Sequence, residues 1–391
     1  MNAMLSVPRW RRLTTLFGTL LIVGSTASLT TPAALAQSTG DPVALTSWER
    51  ADVPAARAGI ELWDISAGGP GFIAVGGGFV EGEEASTAVI WVSDDGQTWQ
   101  SVPLFGDAAH GIPRAITATA DGYLAVGSGC CPDEAAVWLS PDGLSWERLP
   151  DQPSLSGAAM FDVVSTSDGI VAVGCSATLE CLSGLAWTSP DGRTWSEPVP
   201  LDMLPLGVAA TDGGILALGS SDAYGGSATL AMSPDGVAWP PATTLSIGEG
   251  SMEAAVEQPD GILITGGTSD PETGRSGALL AISQDGVLWV PQQGAPLRGT
   301  WVEDVASRSD GLLFVGWRTR RHSQVPAAIW TPDLVSYEQL AFPREVKRGG
   351  MLHATAFAED GSVAVAVGFT ILNRGLVPTV FFSAKPEASG G

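Results

Sequence analysis

Ser93-Asp94-Asp95-Gly96-Gln97-Thr98-Trp99 is the first of six related phrases in this chain. Ser140-Pro141-Asp142-Gly143-Leu144-Ser145-Trp146 repeats it, as do the stretches Ser189 to Trp195, Ser233 to Trp239 and Ser283 to Trp289. A worn copy runs from Thr331 to Tyr337. The closing aromatics follow one another at 47, 49, 44, 50 and 48 residues. Self-similarity at such a period marks a repeat architecture, in which each unit needs its neighbours to bury its apolar face.

Outward from this phrase, each unit carries a short apolar run bounded by glycine. The runs are Gly71 to Gly76, Gly122 to Gly127, Gly169 to Gly174, Gly214 to Gly219, Gly261 to Gly266 and Gly311 to Gly316. A seventh, Gly361 to Gly368, has two extra residues. Short runs rich in Val and Ile between glycines read as buried strands. A further strand precedes each Ser-x-Asp-Gly phrase, as in Ala135 to Leu139, another follows it, as in Ser145 to Leu149, and one more leads into each glycine-bounded run, as in Phe161 to Ser165. Four strands in a unit of about 50 residues, without helical periodicity, describe the blade of a β-propeller. The predicted fold is all-β: seven four-stranded antiparallel blades in one domain, residues 37–385.

The ends of the chain carry the seventh blade. Its last unit stops after Thr379 to Ser383 without a fourth strand, while Thr46 to Arg50 is a fourth-strand phrase with nothing before it. It matches Leu144 to Arg148, so the N-terminal strand is expected to close the last blade. Closure of this kind removes an exposed strand edge.

Residues 1–36 read as a secretory signal peptide. Arg9, Arg11 and Arg12 form the positive region, Leu13 to Val23 the apolar region, and Ala34-Leu35-Ala36 the small-residue cleavage site. Arg11-Arg12 leaves both general secretion and twin-arginine export open. No cysteine stands at the cleavage site, and no later stretch approaches the roughly 18 apolar residues of a membrane span. An exported, soluble, monomeric protein is expected, with residues 386–391 as a short flexible tail. Removing the three arginines and no acid takes the formal charge from −23 to −26. Such acidity argues against nucleic acid or anionic membrane as the general partner.

The four cysteines fall in loops after glycine-bounded runs. In an exported chain Cys175–Cys181 is expected to clasp one hairpin and Cys130–Cys131 to form a vicinal pair, with cross-pairing between neighbouring blades as the competitor. The three histidines are scattered, so neither a metal site nor a cofactor is expected.

The phrase Ser-x-Asp-Gly-x-(Ser/Thr)-Trp resembles the Asp-box of sialidase-like β-propellers, one residue shorter than the common form, and the resemblance spans nearly the whole mature chain. It implies that Asp95, Asp142, Asp191, Asp235 and Asp285 are structural turn residues and that Trp99, Trp146, Trp195, Trp239 and Trp289 are apolar plugs. Locally, each carboxylate can accept backbone N–H groups of its own turn. Members of this family include glycoside hydrolases and non-catalytic binding scaffolds. Sialidases carry an Arg-Ile-Pro motif, absent here, and a catalytic tyrosine. Of the three tyrosines, Tyr123 lies in a strand, Tyr337 replaces a turn Trp and Tyr224 alone sits in a loop. The resemblance is therefore to a non-sialidase member.

Function is expected on the face opposite these turns, called the top. Arg318, Arg320, Arg321, Arg344, Lys347 and Arg348 lie within 31 positions, accompanied by His322. The topology should bring them together as a basic patch able to hold an acidic glycan, a cell-envelope polymer or a protein through bidentate arginine contacts. A second candidate is the inner-strand position seven residues before each run-opening glycine, occupied by Asp64, Ala115, Asp162, Gly207, Ala254, Asp304 and Ala354. With Glu253, Glu303 and His353 one residue earlier, these acids could gather at the channel mouth. Paired carboxylates are what a glycosidase needs. The primary reading is a non-catalytic binding module; the alternative is a glycoside hydrolase using Asp64, Asp162, Asp304, Glu253 or Glu303.

Overall fold

A computed structural model describes residues 45–384, apart from 46, 56, 130–133, 177–180, 182, 223–225, 270–274, 293–296, 321–322, 345, 347–348 and 373–374. The segment read as a signal peptide, the expected C-terminal tail and the expected Cys130–Cys131 pair lie outside the described residues. Among the described residues the strands form seven four-stranded antiparallel sheets. Blade one runs Ile60–Gly68, Gly71–Gly78, Thr87–Ser93 and Gln100–Ser101, and blades two to six repeat this order. Blade seven takes Gly350–Phe357, Val363–Leu372 and Gly375–Ala384 from the end of the chain and Glu49–Arg50 from its beginning. Glu49 pairs with Phe382 and Arg50 with Phe381, as the N-terminal phrase predicts. Inner strands pack in cyclic order, and blade seven meets blade one.

The core is divided among the seams between blades. Seven apolar clusters each join consecutive blades, such as Leu124, Val126, Met160 and Trp187 between blades two and three. At the seam between blades six and seven Trp48 is 2% exposed and packs with Leu313, Leu352 and Phe381. Its backbone N–H donates to the Ala341 carbonyl at 2.9 Å, tying the first strand to blade six as well.

The repeated turn acts at these seams. Asp142 Oδ1 accepts the N–H groups of Leu144 and Ser145, both at 2.8 Å, while Gly143 N–H donates to Ser140 Oγ at 2.8 Å. Trp146 Nε1 returns to the Gly143 carbonyl at 2.9 Å. Gly143 has φ of +76°, and a Cβ there would lie 2.5 Å from Ile73 Cδ1 of the preceding blade. Glycine is thus required both for the left-handed backbone and for the approach of the turn to its neighbour. The sixth turn keeps the geometry with Leu334 at φ +57°, and Tyr337 Oη donates to the Leu334 carbonyl at 2.8 Å. Cys175 and Cys181 form a disulfide within blade three, with Cα atoms 5.5 Å apart. No helix among the described residues is long and apolar enough to cross a membrane.

Candidate functional site: the channel mouth

Every inner strand carries the same irregularity. Pairing with the second strand slips by one residue between Leu62 and Asp64 in blade one, and between Val302 and Asp304 in blade six. The other five blades slip at the equivalent place. A β-bulge leaves one residue outside the ladder and re-aims its side chain. In blade order the bulged residues are Trp63, Arg114, Phe161, Leu206, Glu253, Glu303 and His353. All seven line one cavity of about 370 Å³, together with Asp64, Asp162 and Asp304.

The three aspartates are clasps between blades. Asp64 accepts Ile65 N–H at 2.7 Å on one oxygen and Ile116 N–H of blade two at 2.8 Å on the other. Asp162 holds Val163 and Val208 of blade four, both at 2.7 Å. Asp304 holds Val305 at 2.7 Å and Thr355 of blade seven at 2.8 Å. At the same register Gly207 leaves no room for a clasp, since a Cβ would lie 2.0 Å from the Glu253 carbonyl oxygen.

Removal from bulk water dominates the electrostatics of these acids. Burial pushes Asp162 up to about 7 and Asp304 up to about 6, against the opposing pull of their backbone N–H donors. Asp64 is raised well above the usual carboxylate range by burial and then by the nearby charge of Asp162. Glu253 is raised by burial, and Ser251 Oγ, which donates to Oε1 at 2.5 Å, partly offsets this. Glu303 is raised by burial and then by Glu253, although Trp317 Nε1 donates to its Oε1 at 2.8 Å.

Around the ring the bulged side chains separate by chemistry. The Arg114 guanidinium stacks over Trp63, 4.5 Å from the ring centroid, and lies 5.5 Å from that of Phe161. Trp63 stacks in turn on His353 at 4.4 Å, and His353 Nε2 lies 3.4 Å from Glu61 Oε2. This aromatic and cationic arc spans blades seven, one, two and three. Glu253 and Glu303 occupy blades five and six, beside the stacked pair Trp301 and Trp317 at 5.4 Å. Burial lowers the proton affinity of Arg114, while the charge of Glu61 supports the cation.

All five candidate acids therefore stand at one cavity, three as clasps and two on bulges. Arg318 and Arg320 line a separate cavity of about 340 Å³ with Phe342, Pro343 and Val346, which puts the end of the blade-six strand beside the connection into blade seven. Arg318 donates to Gln339 Oε1 at 2.6 Å, and Arg344 is exposed. Arg321, His322, Lys347 and Arg348 lie outside the described residues. Trp63, Arg114, Phe161 and Leu206 of the channel mouth carry no signal in any one strand's sequence. Aligning the repeats on the residue before Asp64 exposes them as one column whose occupant changes from blade to blade.

No protein-family model matches the chain, and no curated protein matches it. Solved structures are similar to the chain at low identity. Sqt1 from Chaetomium thermophilum is 12% identical with a TM-score of 0.51, covering 87% of this chain and 99% of that one. A second Sqt1 structure is 10% identical with a TM-score of 0.48, covering 82% and 83%. A thermostable family-43 glycoside hydrolase is 11% identical with a TM-score of 0.35, covering 72% and 94%. At 12% identity the likeness to the first of these is one of fold alone.

Proposed function

We propose that this chain is an exported, non-catalytic binding module of the Asp-box type, which recognises a glycan, a cell-envelope polymer or a protein through its top face. The observation that carries the reading is the channel-mouth ring: a repeated backbone bulge presents a different side chain in nearly every blade to one cavity. Structural positions in a repeat tend to keep their residue, as the turn aspartates do. A column that varies while its geometry is constant supports a role in recognition. The Arg318–Arg320 cavity extends the binding surface toward blade seven.

A glycoside hydrolase is the second reading, favoured by Glu253 and Glu303. A carboxyl group raised by burial can serve as a general acid beside a second carboxylate. The aspartates support this reading less, because both oxygens of each are occupied by backbone donors. Incubating the mature chain with acidic and neutral glycans, with retention and released sugar measured together, separates the two. Retention without release, weakened by salt and by Arg318→Glu with Arg320→Glu, is the expected result. Sugar release that Glu303→Gln abolishes would replace the first reading with the second.

A further inference from the structure

Arg308 provides an internal control for Arg114. Its guanidinium lies 4.9 Å from the Trp330 ring and 5.1 Å from Phe357, an aromatic seat like that of Arg114. The donors of Arg308 are engaged: Nε and Nη2 bind the two oxygens of Asp310 at 2.5 and 2.9 Å, and Nη1 binds the Gly361 carbonyl at 3.1 Å. This arginine is structural. Arg114 has the aromatic seat without the acceptor. Among the described residues no carboxylate, carbonyl or hydroxyl accepts a hydrogen bond from it, and it lines the channel-mouth cavity.

The opposite wall has the complementary deficit. In a ring of seven, blade two lies across from the seam between blades five and six, so Glu253 and Glu303 face Arg114 over the cavity. Each glutamate gives one oxygen to the protein, to Ser251 and Trp317 respectively. The Trp301 indole also lowers the proton affinity of Glu253, whereas the second oxygen of Glu303 accepts no hydrogen bond among the described residues. The clasp aspartates are already committed on both oxygens, and Glu61 is turned toward His353. The charge of Glu61 supports Arg114 without accepting a hydrogen bond from it, and the guanidinium and the two glutamates stand partly desolvated on opposite walls with no hydrogen bond between them. Such an arrangement costs stability unless something between them offsets it.

We propose that the channel mouth binds a small zwitterionic group, with the ligand's carboxylate on Arg114 and its primary ammonium held between Glu253 and Glu303. This names the ligand class of the binding module and rests on that reading. A guanidinium seated over aromatic rings with no acceptor of its own suits a bidentate carboxylate contact. A compact ammonium with three donors suits two carboxyl groups on adjacent blades. The volume, about 370 Å³, is at the lower end of ligand pockets and matches a small molecule or the free end of a larger one.

Titration calorimetry of the mature chain with β-alanine, glycylglycine and triglycine, three zwitterions of increasing charge separation, tests this. The best of them is then compared with its N-acetyl and C-terminal amide forms. Either cap is expected to weaken binding by about tenfold or more, as loss of one charged contact predicts. Arg114→Gln should abolish the preference for the acid over the amide and leave the preference for the free amine. Glu253→Gln with Glu303→Gln should do the reverse. Equal binding of capped and uncapped forms to the unaltered chain overturns the proposal without any variant. Failure of all three zwitterions also overturns it. Retention of a glycan in a parallel run would then leave the binding-module reading standing, and absence of all binding would remove both.

Discussion

Asp142 and Asp162 carry the same carboxyl group, and each accepts two backbone N–H bonds of 2.7–2.8 Å. Asp142 lies in a turn between two outer strands and Asp162 in the middle of an inner strand, and their proton affinities move in opposite directions. The Leu144 and Ser145 N–H groups hold Asp142 below the usual carboxylate range, in a turn open to water. Burial carries Asp162 up to about 7 despite its own two donors. Hydrogen bonds to the charged form decide the outcome only where water already solvates the group; in the channel mouth desolvation outweighs them. The turn face repeats one residue set for structure, whereas the channel mouth repeats a backbone and varies the residues.

The strongest way to break this contrast is to force the top ring toward uniformity. Gly207→Asp would write a fourth clasp into the register, yet its Cβ would fall 2.0 Å from the Glu253 carbonyl oxygen. A loss of about 3 kcal/mol in unfolding free energy is expected, the scale of overpacking in a tight seam. Denaturant unfolding with an unchanged midpoint would show instead that the ring tolerates one residue type throughout.

Next in size is the removal of a clasp. Asp162→Ala leaves the Val163 and Val208 N–H groups without their acceptor and should cost about 2 kcal/mol. Asp142→Ala strips an exposed turn whose N–H groups can turn to water, so its loss should be smaller. Thermal midpoints of the two variants compare the inner strand with the turn directly. Equal losses would mean that position in the ring does not matter.

The smallest effect is a tilt in stability with pH. Because the folded values of Asp162 and Asp304 lie at about 7 and about 6, the folded chain holds protons that the unfolded chain, with values near 4, has released. Stability therefore falls as pH rises from about 4 to 7. Asp142 and Asp191 have the opposite sign: their stabilisation is present above about 4 and is lost as pH falls further. Asp162→Asn should make the first limb shallower and leave the second unchanged, and Asp142→Asn should do the reverse. Thermal midpoints from pH 3 to 8, a window chosen to bracket both limbs, read the two separately. A rise in stability from pH 4 to 7 would contradict the raised values at the channel mouth.

Much of the architecture is legible in the sequence. The period of the Trp-ending phrase, the glycine-bounded runs and the orphan phrase ending at Arg50 led to seven blades with an N-terminal closing strand. Cys175 with Cys181 was legible as a short hairpin clasp. The candidate acids were found because Asp and Glu stand out where a strand should be apolar. Arg114, Trp63 and Phe161 did not stand out, since an arginine flanked by strand residues and a lone aromatic are ordinary in any sheet. The bulge that turns them inward is a shift in pairing with the neighbouring strand, and nothing in the spacing of one strand announces it.

By itself the sequence determined what is local and periodic: turns that need glycine at φ near +75°, strands bounded by those turns, and their number. These follow from backbone sterics and from carboxylates bonding within their own seven residues. The tertiary structure alone decided which side chains converge. Trp63 and His353 are 290 positions apart and stack at 4.4 Å because the ring closes blade seven on blade one. Whether an aspartate is a clasp or an open acid depended on a donor from the next blade, and whether an arginine is satisfied depended on a carboxylate beside it. Both are facts of neighbourhood, which chain order does not encode and ring closure does.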